Sequence, residues 1–172
     1  MAPTVFITGG ARSGKSAFAQ QRAESHPGSL LYLAAARSED AEMAARIQAH
    51  QEARGPRWRT VEEPLDIPGA LREARGCEAV LFDCVTLWLS NLLFHHREDQ
   101  AAVLAAVDGL VAILPRLEAP LYLVSNEVGS GIVPENRLAR LFRDLAGTAN
   151  QRLAAAADEA WLVAAGCPLR LK

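Results

Sequence analysis

Short runs of the chain are apolar almost throughout, and segments with helical spacing separate them. Thr4–Thr8 (TVFIT) ends in Gly9-Gly10, SLLYLAAA ends near Ala34, and Ala79–Cys84 (AVLFDC) and PLYLVSN follow the same style. Continuous apolar runs of this length, closed by turn residues, read as strands buried on both faces. RWRTVEE alternates instead, as a strand with one wetter face does, and EAWLVAAGCPLRLK supplies one or two closing strands. Helical patterns lie between them. One runs from Lys15 to about Ser25 and is stopped by His26-Pro27-Gly28, and another runs from Asp40 to Arg54 and is broken by Gly55-Pro56. A loop with Pro64, Pro68 and Gly69 leads to a short helix over Ala70–Arg75. Further helices are expected over Leu87–Phe94, over Gln100–Leu117 with Pro115 kinking or ending it, and over Asn136–Ala157. Apolar strands alternating with helices predict an α/β fold, a mostly parallel sheet with helices on both faces. With no repeat, low-complexity tract or long linker, residues 1–172 are expected to form one domain.

One position breaks its helical pattern. Met43 and Ile47 are four apart, and His50, three further on, extends their stripe where a third hydrophobe is expected. By spacing alone this is either a core histidine with one hydrogen bond or a helix carrying a reactive nitrogen toward something.

Composition narrows the setting. Half of the residues are apolar, enough for a sizeable core. A net charge of -2 with the signs interspersed argues against a dedicated nucleic-acid binder or membrane-surface protein. Cys77, Cys84 and Cys167 are odd in number and show no metal-ligand or Cys-x-x-Cys spacing, which suits a reduced, cytoplasmic compartment. No apolar run approaches membrane-span length, so a soluble intracellular protein is expected.

The strongest chemical signal is Gly9-Gly10-Ala11-Arg12-Ser13-Gly14-Lys15-Ser16, which matches G-x-x-x-x-G-K-[ST] between a strand and a helix. The glycines let backbone N–H groups curl around a phosphate, and the helix N-terminus adds its positive end. Lys15 can reach the β- and γ-phosphates, and Ser16 can offer its hydroxyl to Mg²⁺. Asp83, ending AVLFD, suits the second metal-side carboxylate, though an aspartate capping the next turn would read the same way. Ligands of open α/β sheets sit beyond the carboxyl ends of the strands. That directs attention to Ala34–Arg37, Glu62-Glu63, Asp83–Thr86 and the polar, glycine-rich Ser125–Pro134. The guanine-reading N-K-x-D motif is absent. His95-His96 and His26 read as helix-end residues.

Several segments together resemble one family, the bifunctional adenosylcobinamide kinase/adenosylcobinamide-phosphate guanylyltransferases of cobalamin biosynthesis. The matching pieces are GGARSGKS, YLAAARSEDAEMAARIQAHQEAR, WRTVEEP, LFDCVTLWLSN, the run from VSNEVGSGIVPENR to AWLVAAG, and LRLK; they span nearly the whole chain in the family's order. Ala35-Ala36 stand where relatives often carry a threonine. The resemblance implies a RecA-like P-loop NTPase fold and two reactions, phosphorylation of adenosylcobinamide by a nucleoside triphosphate and GMP transfer from GTP to the product. It implies that GMP passes through a covalent bond to the histidine of R-I-x-x-H, here His50 of Arg46-Ile47-Gln48-Ala49-His50. Carried over in the same way, Gly9 to Ser16 hold GTP phosphates, and Ala34, Ala35, Ala36, Gln51, Glu52, Ala53, Arg54, Glu62 and Asp83 contribute to the nucleotide site. GTP and ATP are the expected substrates with Mg²⁺, and a homo-oligomer, a trimer, is expected with the site near a subunit boundary.

A neutral imidazole near pH 7 is a competent nucleophile, and covalent catalysis divides GMP transfer into two displacements. Arg46 and Arg54 lie one turn on either side of His50, placed to neutralise phosphoryl oxygens. Two rivals stay open on the residues alone. A P-loop small-molecule kinase without guanylyl transfer leaves His50 idle, and a non-catalytic nucleotide-binding switch needs a partner surface that no appended segment supplies.

Overall fold

The structure is a computed structural model, and residues 2–36 and 54–172 are described. The apolar runs form a seven-stranded sheet: β1 (Thr4–Gly9), β2 (Leu30–Ala34), β3 (Trp58–Glu62), β4 (Ala79–Asp83), β5 (Leu121–Asn126), β6 (Glu159–Ala164) and β7 (Cys167–Arg170). Their spatial order is β3-β2-β4-β5-β1-β6-β7. Every neighbouring pair is parallel except β6 with β7, which make an antiparallel hairpin. The described helices are α1 (Lys15–Glu24), α2 (Ile67–Glu73), α3 (Val85–His95), α4 (Gln100–Ile113) and α5 (Arg137–Ala156).

The central strands β1, β2, β4 and β5 are apolar almost throughout because both faces are covered. By contrast, β3 at one edge is only partly buried and β7 at the other is exposed. On one face Phe6, Leu31, Leu33, Phe82, Leu121 and Leu123 pack with buried side chains of α2 to α5, centred on Trp88. Side chains alternate along a strand, so Val5, Ile7, Leu30, Leu81, Tyr122 and Val124 face the other way and meet Ala19 and Ala23 of α1. Trp88 is fully buried and donates its indole N–H to the Leu65 carbonyl at 2.8 Å, which ties α3 to the loop before α2.

Three boundaries differ from the sequence expectation. The short helix begins at Ile67 rather than Ala70, because Asp66 caps it by accepting from the Gly69 N–H at 2.9 Å. Pro68 then falls in the first turn, where a missing N–H costs nothing, so it opens a helix instead of prolonging the loop. α3 likewise starts at Val85, two residues before expectation. The next helix stops at Ile113, and Pro115 lies in a separate 3₁₀ turn, Leu114–Arg116. The expected helix holding His50 lies outside the described residues except for Arg54, as do Gln51, Glu52 and Ala53. No described helix is long and apolar enough to cross a membrane.

The register brings the sequence-marked segments into one row. Ala34 pairs with Asp83 on one side and Glu62 on the other, and Gly9 pairs with Asn126. Parallel pairing thus puts these strand ends along a single edge of the sheet.

Candidate active site

At the centre of that row β1 runs into the Gly-rich loop and then α1. Gly14, at the N-cap of α1, has φ +94°, and Arg12 has φ +55°. Left-handed residues in such a turn rotate successive N–H groups toward one side, which makes an anion-binding concavity at the helix N-terminus. Close packing restricts the loop further. A Cβ on Gly9 would stand 2.4 Å from the Val163 carbonyl oxygen and 2.5 Å from Ser13 Oγ. Lys15 is only 8% exposed, and its Nζ donates to the Gly10 carbonyl at 3.2 Å, so its ammonium lies folded over the loop. Ala11, Arg12 and Ser16 are exposed. The buried hydroxyls of Thr8 and Ser13 have no hydrogen-bond partner among the described residues.

Beside the loop, Asp83 ends β4. Burial pushes its pKa up, while the Ser16 hydroxyl, the Lys15 ammonium, the Tyr32 hydroxyl and the Arg54 guanidinium all pull the other way. Burial is also the largest cause raising the Tyr32 phenol, with the charge of Asp83 next. The Arg54 guanidinium carbon lies 3.5 Å from the centre of the Tyr32 ring, and Nη2 reaches Thr60 Oγ1 at 3.5 Å. Arg54, Tyr32, Asp83 and Ser16 therefore form one connected group next to Lys15. A half-buried carboxylate beside the Ser16 hydroxyl and the Lys15 ammonium fits a divalent cation that also meets phosphate. Among the described residues no cluster of three or more His, Cys, Asp or Glu gathers. The donor set of Ser16 and Asp83 matches the needs of Mg²⁺, which takes one or two protein oxygens and completes its shell with phosphates and water.

The other residues named from sequence occupy different parts of the row. Ala34 and Ala35 are buried at the end of β2, and Ala36 is half-buried just beyond. The Ala35 carbonyl accepts from Asn91 Nδ2 at 2.9 Å. Glu62 is exposed on the edge strand, four strands from Gly9, which at about 4.8 Å per strand is roughly 19 Å. It stands at the far end of the row, away from the phosphate loop.

A second polar group joins residues to which the sequence assigns no role. Asn126 Nδ2 donates to Thr86 Oγ1 at 2.5 Å and lies 3.7 Å from Cys84 Sγ. Its carbonyl accepts from Asn150 Nδ2 at 3.2 Å, and Asn150 Oδ1 accepts from the buried Ser125 hydroxyl at 2.6 Å. These bonds fasten α5 to the end of β5, next to Gly9. From there the Glu127 N–H donates to the Gly9 carbonyl at 3.0 Å, and the loop to Asn136 begins. Arg143 donates to the Gly129 and Gly131 carbonyls and Arg140 to Pro134 and Glu135, so α5 holds the loop from beneath. Ile132 at its tip is 96% exposed. The loop expected from SNEVGSGIVPENR is present. Thr86 and Asn126 lie in the strand-end segments marked from sequence but had no role assigned, and Tyr32 and Asn150 join them only once strand register assembles the group.

A family model described as cobinamide kinase / cobinamide phosphate guanyltransferase matches residues 5–171. The chain belongs to this family. It is 45% identical to the bifunctional adenosylcobalamin biosynthesis protein CobU of Salmonella typhimurium, over 98% of this chain and 99% of the relative. The Escherichia coli protein of the same name is 43% identical with the same coverage. A Pseudomonas aeruginosa protein named CobP is 40% identical over 96% of this chain and 95% of its own length. Among solved structures, the RadB recombinase matches with a TM-score of 0.56, covering 94% of this chain and 74% of its own, at 14% identity. At that identity the likeness speaks for the fold alone, the RecA-like P-loop arrangement expected from the sequence. Membership of the cobinamide kinase/guanyltransferase family makes the chain a transferase of cobalamin biosynthesis whose two reactions draw on nucleotides.

Proposed function

We propose that the chain phosphorylates adenosylcobinamide with a nucleoside triphosphate and then transfers GMP from GTP to the new phosphate, with His50 carrying GMP covalently between donor and acceptor. The carrying observation is that a buried lysine on the phosphate loop and a half-buried aspartate share one cradle. The segment bearing His50 leaves that cradle at Ala36 and returns to it at Arg54. His50 is four residues from Arg54, a separation that full extension cannot stretch beyond about 14 Å.

In the kinase step the acceptor hydroxyl oxygen attacks the γ-phosphorus, the bond to the β–γ bridging oxygen breaks, and the hydroxyl proton is released. In the second reaction a neutral His50 nitrogen attacks the α-phosphorus of GTP. The α–β bridging bond breaks, and pyrophosphate leaves with its developing charge facing Lys15 and the loop N–H groups. A phosphate oxygen of adenosylcobinamide phosphate then attacks the same phosphorus. The P–N bond breaks, adenosylcobinamide-GDP forms, and the imidazole is regenerated. Mg²⁺ bound at Ser16 and Asp83 would supply charge neutralisation on the triphosphate. The family resemblance further supports a homotrimer working in the cytoplasm, which sedimentation and cell fractionation would check.

The test is product analysis with adenosylcobinamide, ATP and GTP. Both the phosphate and the GDP product are expected from the unaltered chain. His50→Ala is expected to make the phosphate only. A simple kinase would give the phosphate alone from both.

A further inference from the structure

The β6–β7 hairpin lies against the phosphate loop, and one of its backbone groups is spent there. Ala164 pairs with Cys167 around a two-residue turn, Ala165-Gly166, with φ of +50° and +79°. Two positive φ values make this a type I′ turn, whose closing bonds run between the flanking residues. The N–H of the second turn residue is outside that ladder. In this chain it donates to the Ser13 carbonyl at 2.8 Å.

That bond acts on the next residue. The Ser13–Gly14 peptide is planar and trans, so its C=O and the Gly14 N–H point in opposite directions. Drawing the carbonyl toward the hairpin turns the Gly14 N–H away from the hairpin. The backbones also touch: a Cβ on Gly14 would stand 3.2 Å from Gly166 Cα. A Cβ on Gly166 itself would meet nothing within 4 Å. Space therefore does not require glycine at position 166; the left-handed backbone and its donor are what matter. The hairpin is also anchored at its far end. Lys172 Nζ donates to the Ala155 and Ala157 carbonyls at the C-terminus of α5, and the Leu171 N–H bonds Ala160 at 2.8 Å.

We propose that Gly166 is a positioning residue for triphosphate binding: its N–H holds the Ser13–Gly14 peptide so that the Gly14 N–H is presented to a phosphate. The inference rests on the loop being the triphosphate site. Gly166→Pro removes the donor and forbids positive φ, whereas Gly166→Asn keeps the donor and tolerates the left-handed region. Binding of GTP and of inorganic tripolyphosphate is measured by calorimetry, with thermal melting alongside. Gly166→Asn should bind both within about twofold of the unaltered chain, and Gly166→Pro about tenfold or more weakly, as expected when one charge-assisted hydrogen bond is lost. A purely structural turn would lower the melting temperature of the proline variant and leave the affinity of its folded fraction unchanged, which overturns the proposal. Equal weakening by both variants also overturns it.

Should the proline variant not fold, amide exchange at Gly166 in the unaltered chain decides. Protection that rises on adding tripolyphosphate supports the proposal, and exchange at the rate of an open turn refutes it. An unaltered chain that binds neither GTP nor tripolyphosphate overturns the phosphate-site reading itself, and this inference with it.

Discussion

Asn150 is the joint between α5 and the end of β5, and its truncation has a magnitude that follows from its partners. Ser125 is fully buried, so Asn150→Ala leaves its hydroxyl without an acceptor and the Asn126 carbonyl short of one donor. An orphaned buried group costs about 1–3 kcal/mol. Water reaches half-buried Asn150 in part, so a total near 2–3 kcal/mol is expected, or roughly 5–10 °C in Tm for a chain of this size. Ser125→Ala removes the orphan. Combined with Asn150→Ala it should therefore cost less than the two single changes added together, with a coupling of about 1–1.5 kcal/mol. Denaturant or thermal unfolding of the four proteins in the cycle gives that number. The nucleotide KM should also rise severalfold in Asn150→Ala at temperatures where it is fully folded, because Asn126 is paired to Gly9. Additivity within about 0.3 kcal/mol would show that the Ser125–Asn150 bond contributes nothing to this joint.

Other outcomes follow from the same geometry. Lys15→Met should lower kcat/KM of both reactions by about a hundredfold or more, the usual loss for one donor aimed at developing charge, with initial rates as the readout. Burial raises the Asp83 pKa above its unfolded value, so without nucleotide or metal this group lowers stability as pH rises through that interval, and the penalty is complete above the folded pKa. Asp83→Asn should therefore melt higher than the unaltered apo chain at pH 7.5, with the gap closing toward pH 4, and should lose the stabilisation given by Mg²⁺-GTP. Gly9→Ala should fail to keep the loop in place, since its Cβ meets backbone that cannot swing aside; loss of GTP binding in calorimetry checks this.

The phosphate loop was legible because its chemistry depends on consecutive residues, and the strands because full burial writes itself as unbroken apolar runs. The helix start at Ile67 was not, since Pro68 and Gly69 carry the same turn signal whether they precede a helix or open one. Long-range register hid the rest. Tyr32 reads as one more strand hydrophobe until pairing sets β2 beside β4 and brings its hydroxyl to Asp83. Asn126, Thr86 and Asn150 come from three separate elements and meet only in the fold. Gly166 reads as a hairpin glycine, and nothing local to it indicates that its N–H is bonded to Ser13.

The central claim is that His50 carries GMP covalently. Intact-mass measurement of the chain after incubation with GTP and Mg²⁺ tests it most directly. The account predicts an added guanylyl group, one per chain, that is lost in acid, absent in His50→Ala and discharged by adenosylcobinamide phosphate. Conversion of adenosylcobinamide phosphate to its GDP product by a chain that never carries the adduct, or by His50→Ala at an undiminished rate, would contradict it.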